Sequence, residues 1–171
     1  TRVARQPHAG TAERVDAAQH LDLGEAGVRG SHPDVGREQQ FDAGDLSAFD
    51  AFLEQLKAQL QAMSGRQTFD FLVNNGGMGG TIPFAQVTEE IFDRFLNVHF
   101  KGVYFLTQKA LPMMADGGRV INISTGTTRF CVPGYSVYAS MKGGIETFTR
   151  YLAKEIGPRG MTANVLAPGP I

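Results

Sequence analysis

The stretch YSVYASMKGG, residues 135–144, sets Tyr138 and Lys142 four positions apart. On a helix such positions share a face, so a phenol and an ammonium would meet at one spot. A free phenol has a pKa of about 10 and is a feeble base near neutrality, but a neighbouring cation favours the phenolate, and each tenfold gain in acidity is worth about 1.4 kcal/mol. Paired in this way, Tyr138 can pass a proton to or from an alcohol or carbonyl oxygen, while a hydroxyl from an adjacent strand end holds that oxygen. Tyr135 is the poorer candidate, because position 139, four residues on, is alanine. Taken alone, Tyr-x-x-x-Lys on an amphipathic helix more often marks a packing tyrosine beside a solvated lysine. The elements around the pair have to decide.

From Phe41 onward the pattern is globular. Phe49, Phe52, Leu53, Leu56 and Leu60 recur at helical spacing and predict a helix over 48–63, with Ser47 as its N-cap. The apolar run at 69–73 has strand length and ends in polar and glycine residues. Thr88, followed by Glu89 and Glu90, opens another helix that turns Ile91, Phe92, Phe95 and Leu96 to the core. Helical character resumes through Phe100, Val103, Leu106 and Ala110 to about residue 114, with Pro112 loosening the last turn and Gly117 and Gly118 ending it. The run RVINIS at 119–124 is β-branched and predicts a strand.

Tyr138, Ile145, Phe148, Leu152 and Ile156 form the stripe of a further helix, which Gly157 and Pro158 terminate. A final strand over 162–170 runs into a rigid turn. Helix and strand alternating in this order predict an α/β fold: a parallel sheet with right-handed crossovers and helices on its faces. Ligands of such sheets gather at the carboxyl ends of the strands, which here carry 74–80, 124–127 and 168–170.

Residues 1–40 differ. They contain no Ile, Phe, Met, Tyr or Lys, and their few aliphatics follow neither a strand nor a helix period, so an atypical, disordered segment is expected there. With 171 residues and 42% hydrophobic content, the rest builds one domain, over 41–171. Sixteen basic against seventeen acidic side chains supply no field to hold a phosphate backbone, so nucleic acid is not an expected partner. Cys131, the lone cysteine, and the lack of any long apolar run predict a cytoplasmic protein that does not enter a membrane.

Four motifs accompany the Tyr-Lys pair: NNGG after one strand, NVHFKG in the next helix, NIST ending the following strand and NVLAPGP after the Tyr-Lys helix. With them, residues 41–171 resemble the central section of a short-chain dehydrogenase/reductase. That resemblance implies a Rossmann-like doubly wound sheet, truncated at both ends, NAD or NADP as cofactor, and hydride transfer between nicotinamide and a small alcohol or carbonyl substrate. It puts the catalytic tyrosine and lysine on Tyr138 and Lys142, the structural-catalytic asparagine on Asn97, and the hydroxyl on Thr125, with Ser124 as the alternative. Where the family usually has serine, Thr125 is a departure. The resemblance also implies cofactor contacts from Asp42, Asn74, Gly76, Tyr138, Lys142, Pro168 and Gly169, no metal, and self-association through the two long helices over 100–114 and 138–156.

The family's glycine-rich Thr-Gly-x-x-x-Gly-x-Gly turn has no counterpart in this sequence. Gly77-x-Gly79 is followed by Ile82 where a third glycine would stand. Residues 1–40 are therefore expected to be an out-of-frame substitute for the nucleotide-binding start. An inactive fragment or pseudoenzyme of the same family is the second reading.

Overall fold

The computed structural model describes residues 41–169; the expected disorder of residues 1–40 lies outside the described residues, as do Pro170 and Ile171. Three parallel strands in the order β1-β2-β3 make the sheet: β1 (Phe69–Asn74), β2 (Met114–Ile123) and β3 (Thr162–Leu166). The helices are α1 (Phe49–Ser64), α2 (Glu89–Leu96), α3 (Gly102–Ala110) and α4 (Ser136–Ile156). Each pair of neighbouring strands is thus joined by a helical crossover, as the alternating pattern predicts.

Register explains which sheet face is buried. Leu72, Val120 and Ala163 lie side by side across the strands, and Val120 is fully buried. Phe49, Phe52, Leu53 and Leu56 of α1 join Leu106 and Ala110 of α3 over Phe69 and Leu72, while Leu152 and Ile156 of α4 cover Val120 and Ala163. The opposite face shows Phe71 at 69% and Val73 at 51% exposure, so the described helices cover one side of the sheet.

Several boundaries differ from the sequence pattern, each for a local reason. Asp45, not Ser47, is the cap ahead of α1: its carboxylate accepts from the Ser47 amide of a 3-10 turn, Leu46–Ala48, that leads into the helix. Thr88 caps α2 as expected, accepting from the Ile91 amide, yet Phe92 is 43% exposed and only Phe95 of that helix is fully buried. The helix expected to reach residue 114 stops at Ala110, passes through a 3-10 turn at Leu111–Met113, and gives way to β2 at Met114. Gly117, at φ 79°, does not end a helix; it sits inside β2, where the register shifts between Phe69 and Phe71.

Between α2 and α3 lies a π-helical turn, Asn97–Lys101. Such turns often mark functional sites, because they swing side chains out of the ordinary helical face. Here the turn is set by packing: a Cβ on Gly102 would collide with the Ala43 carbonyl oxygen, so the chain is pressed against the loop before α1.

Candidate active site

Tyr138 and Lys142 lie in the first two turns of α4, at the carboxyl ends of β1 and β2. Lys142 is only 4% exposed, and its ammonium donates to the Ile123 carbonyl at 2.7 Å, 5.8 Å from the centre of the Tyr138 ring. Burial lowers its pKa to about 8. One N–H is used by Ile123, so two remain for a ligand's oxygens.

The phenol behaves differently from the simple cation argument. Its pKa is raised, first because burial disfavours the phenolate; the Thr125 hydroxyl acts in the lowering direction, and Tyr135 in the raising one. Lys142, itself stripped of water and bonded to Ile123, does not overcome that burial. Tyr138 is therefore a protonated acid at neutral pH.

The two adjacent hydroxyls at the end of β2 are clearly separated. Thr125 is the one whose hydroxyl acts on the phenol's pKa, in the lowering direction. It also caps a 3-10 turn, Gly126–Thr128, its Oγ1 accepting from the Thr127 amide at 3.3 Å. Ser124 is buried and turned away, donating to Glu146 at 2.8 Å. Alternation along the strand separates them in this way.

Asn97 opens the π turn, and its carbonyl accepts from the Gly102 amide. Its Cβ faces Gly44, and among the described residues no hydrogen bond joins it to Tyr138 or Lys142. The residue that meets the phenol ring is His99, two positions on: the rings lie edge to face with centroids 5.0 Å apart. Its Nε2 is 2.9 Å from the Met78 carbonyl and 3.3 Å from the Met78 amide, and the shorter contact assigns the proton to Nε2. Nδ1 is then a bare acceptor, and among the described residues it is the buried side-chain polar atom with no partner. Burial first, and then Lys142, lower the His99 pKa to about 4, so the ring is neutral. In sequence, a single histidine within an apolar helix stripe gave no sign of this contact.

Of the expected cofactor residues, Asn74 is turned inward. Its Nδ2 donates to Asn122 at 2.7 Å and Thr107 at 3.0 Å, and Asn122 in turn donates to Thr149 at 2.8 Å. This buried polar chain locks β1 and β2 to α3 and α4, at core positions where apolar residues would be expected. Asn75 is the exposed member of the pair, beside Gly76. At Gly77 a Cβ would stand 3.0 Å from His99 Cε1, so glycine lets the loop close on that ring. Asp42 is exposed, with one carboxylate oxygen accepting from the Gly44 amide at 2.7 Å. Pro168 and Gly169 are exposed after β3, and the Pro168 carbonyl accepts from Gly126 at 2.9 Å, which places that exit beside the Thr125 turn.

The described residues hold no group of acidic, histidine and cysteine side chains able to bind a metal, and no helix among them is long and apolar enough to cross a membrane.

A family model described as enoyl-(acyl carrier protein) reductase matches residues 15–171. The short chain dehydrogenase/reductase nsrJ of Aspergillus novofumigatus is 39% identical over 101 residues, covering 58% of this chain and 38% of that protein. Among solved structures, the promiscuous reductase LugOII, which catalyses keto-reduction at C1 during lugdunomycin biosynthesis, superposes with a TM-score of 0.71 at 40% identity, covering 74% of this chain and 51% of its own. The angucycline C-6 ketoreductase LanV with bound NADP gives 0.71 at 37% identity, covering 73% and 49%. The chain belongs to the short-chain dehydrogenase/reductase family, and its sheet is part of that family's Rossmann-like fold. It spans about half the length of these structures, or less in the case of nsrJ.

Proposed function

We propose that this chain carries the catalytic half of an NAD(P)-dependent oxidoreductase that interconverts a carbonyl and an alcohol. The observation that carries this reading is the grouping of Tyr138, Thr125 and Lys142: a protonated phenol, a hydroxyl that works in favour of its phenolate, and a buried ammonium with two N–H groups to spare.

The donor set suits a nicotinamide dinucleotide, since the free N–H groups of Lys142 match neighbouring ribose hydroxyls. Lys142, the backbone at Gly76, and the Pro168–Gly169 exit would hold it, with Asp42 toward the adenine; Asn74 supports the loop from within. When bound, the reduced nicotinamide supplies the hydride. The chain's own residues handle the oxygen. Thr125 donates a hydrogen bond to the substrate carbonyl oxygen, and Tyr138 gives that oxygen its proton as negative charge develops there. The resulting phenolate is met by the Lys142 ammonium, which is more useful to it than to the neutral ring. Asn97 contributes by opening the π turn that brings His99 to Tyr138. Support for the substrate class comes from LanV and LugOII, both ketoreductases by their descriptions. Self-association through α3 and α4 belongs to the same reading, with Tyr104 and Tyr151 exposed on those helices.

Fluorescence titration of the full chain with NADPH and NADH, followed by reduction of a panel of cyclic ketones, tests this. Saturable micromolar binding and turnover that drops by about 10²–10⁴ in Tyr138→Phe are expected. A folded chain that binds neither dinucleotide overturns it.

A further inference from the structure

Glu146 lies one helical turn beyond Lys142 on α4; where Lys142 reaches the Ile123 carbonyl, Glu146 reaches the next residue of the β2 exit, Ser124. A single carboxylate oxygen, Oε1, is 2.8 Å from Ser124 Oγ and 2.8 Å from Thr128 Oγ1. These two hydroxyls bracket the turn that carries Thr125. Within the turn the bonds made by Thr125 Oγ1 are longer: 3.3 Å from the Thr127 amide and 3.2 Å from the Thr127 hydroxyl. Thr128 Oγ1 has one proton and also stands 2.9 Å from the Thr125 carbonyl, so the carboxylate competes for it at slightly shorter range. Burial works against the charge of Glu146, but the Ser124 and Thr128 hydroxyls, with Arg129 and Arg150 nearby, outweigh it and hold the carboxyl below its usual range.

We propose that Glu146 is a positioning residue that clamps both ends of the 124–128 turn to α4 and thereby presents the Thr125 hydroxyl to Tyr138. A clamp from α4 is well placed for this, because the phenol rides on the same helix, and one rigid element then fixes both groups. Ser124, used as a donor to Glu146, is at the same time withheld from the substrate oxygen. The inference rests on the proposed reading for its functional meaning, but its physical content is the coupling of Glu146 to the phenol through Thr125.

The sign of that coupling separates it from plain electrostatics. Removing a negative charge near a phenol lowers the phenol's pKa. Loosening Thr125, whose hydroxyl works in favour of the phenolate, raises it.

The test is an alkaline titration of the Cζ resonances in the full chain labelled with 13C-tyrosine. There are four tyrosines, and Tyr138 is identified by the signal lost in Tyr138→Phe. In Glu146→Ala the Tyr138 pKa is expected to rise by about 0.5–1, the scale of one lost hydrogen bond. Glu146→Gln, whose amide oxygen still accepts from both hydroxyls, is expected to remove that rise. The double variant Ser124→Ala with Thr128→Val keeps the charge, removes both donors, and should reproduce the rise; it decides the matter if Glu146→Ala does not fold. An unchanged or lowered Tyr138 pKa in the double variant overturns the proposal, as does an equal rise in Glu146→Gln and Glu146→Ala. In ketone reduction, Glu146→Ala should lower kcat about tenfold with KM little changed, rescued by Glu146→Gln. A wild-type chain that shows no reduction at all overturns the catalytic reading alone, and the titration still judges Glu146.

Discussion

The rings of His99 and Tyr138 meet edge to face at 85°, with centroids 5.0 Å apart, and the far edge of the imidazole is tied through Nε2 to Met78. This contact links the loop after β1 to the proton-bearing helix. His99 has a pKa of about 4, below its ordinary 6.5, so between those values the unfolded chain binds a proton that the folded chain refuses. Stability from this group is therefore present above pH 6.5 and lost as pH falls toward 4. Thermal unfolding of wild type and His99→Phe between about pH 4 and 7 should show wild type losing ground at the acid end. Parallel curves would remove the claim that a buried, neutral imidazole sits there. Loss of the Met78 tie should also lower kcat/KM by about tenfold, on the scale of one buried hydrogen bond.

Lys142 follows the same sign in a higher pH window. Its folded pKa is about 8 against 10.5 unfolded, so the unfolded chain holds the extra proton between those values and stability rises with pH across that window. Below pH 8 both states are charged, and the cost of burying the ammonium stands in full. Lys142→Met should thus be more stable than wild type near pH 7, by about 1–2 kcal/mol after the loss of the Ile123 hydrogen bond, and inactive. Urea unfolding at about pH 7 and pH 10 checks it: the advantage should shrink at the higher pH.

Thr125 and Ser124 are adjacent hydroxyls with different partners, so single substitutions should separate them. Thr125→Val keeps the branched shape and loses the donor, and kcat should fall by about 10²-fold, the usual effect of removing one donor to a developing oxyanion. Thr125→Ser should retain most of the rate. Ser124→Ala removes one of the two ties to Glu146 and should cost only about threefold. Equal losses for Thr125→Val and Ser124→Ala would mean that the strand end presents both hydroxyls to substrate.

Much of this was legible in the sequence, and the exceptions have physical causes. The order of strands and crossovers follows from apolar periodicity, and Thr88 caps α2 because its type and its following glutamates leave little choice. Met114 was misleading, since an unbranched side chain suits a helix end as well as a strand start, and strand pairing with Phe69 decides in favour of the strand. Cation and phenol were legible as a pair, but not the balance between them, which depends on how deeply each is buried. His99 was invisible for a different reason: a histidine in an apolar stripe is ordinary until a glycine loop is seen to close on it.

Asn122 shows what a polar residue inside a strand pattern can mean. It is fully buried, accepts from Asn74 and donates to Thr149, and it sits on the covered face in register with Asn74. Asn122→Ala would strand the donor on Asn74 and vacate space between α3 and α4. A loss of about 2–3 kcal/mol in urea unfolding is expected, more than for an exposed asparagine, because a buried polar group left unpaired costs most of its desolvation.

Two glycines on neighbouring helices make the final prediction, because helix propensity and packing oppose each other in one and agree in the other. Replacing glycine by alanine inside a helix stabilises by about 1 kcal/mol on propensity alone. At Gly143 a Cβ meets nothing within 4 Å, so Gly143→Ala should realise most of that gain. At Gly102 the same Cβ would overlap the Ala43 carbonyl oxygen, a backbone atom that can move only by lifting the 42–45 turn off α3. Overpacking of about 1–3 kcal/mol should outweigh propensity there, making Gly102→Ala destabilising overall. Because the π turn directly precedes Gly102, the displacement should also reach His99, and the Gly102→Ala variant should lose ketone reduction while Gly143→Ala keeps the bulk of it. Paired thermal melts and activity assays read both effects; a Gly102→Ala chain more stable than wild type would show that the contact with Ala43 does not set the position of α3.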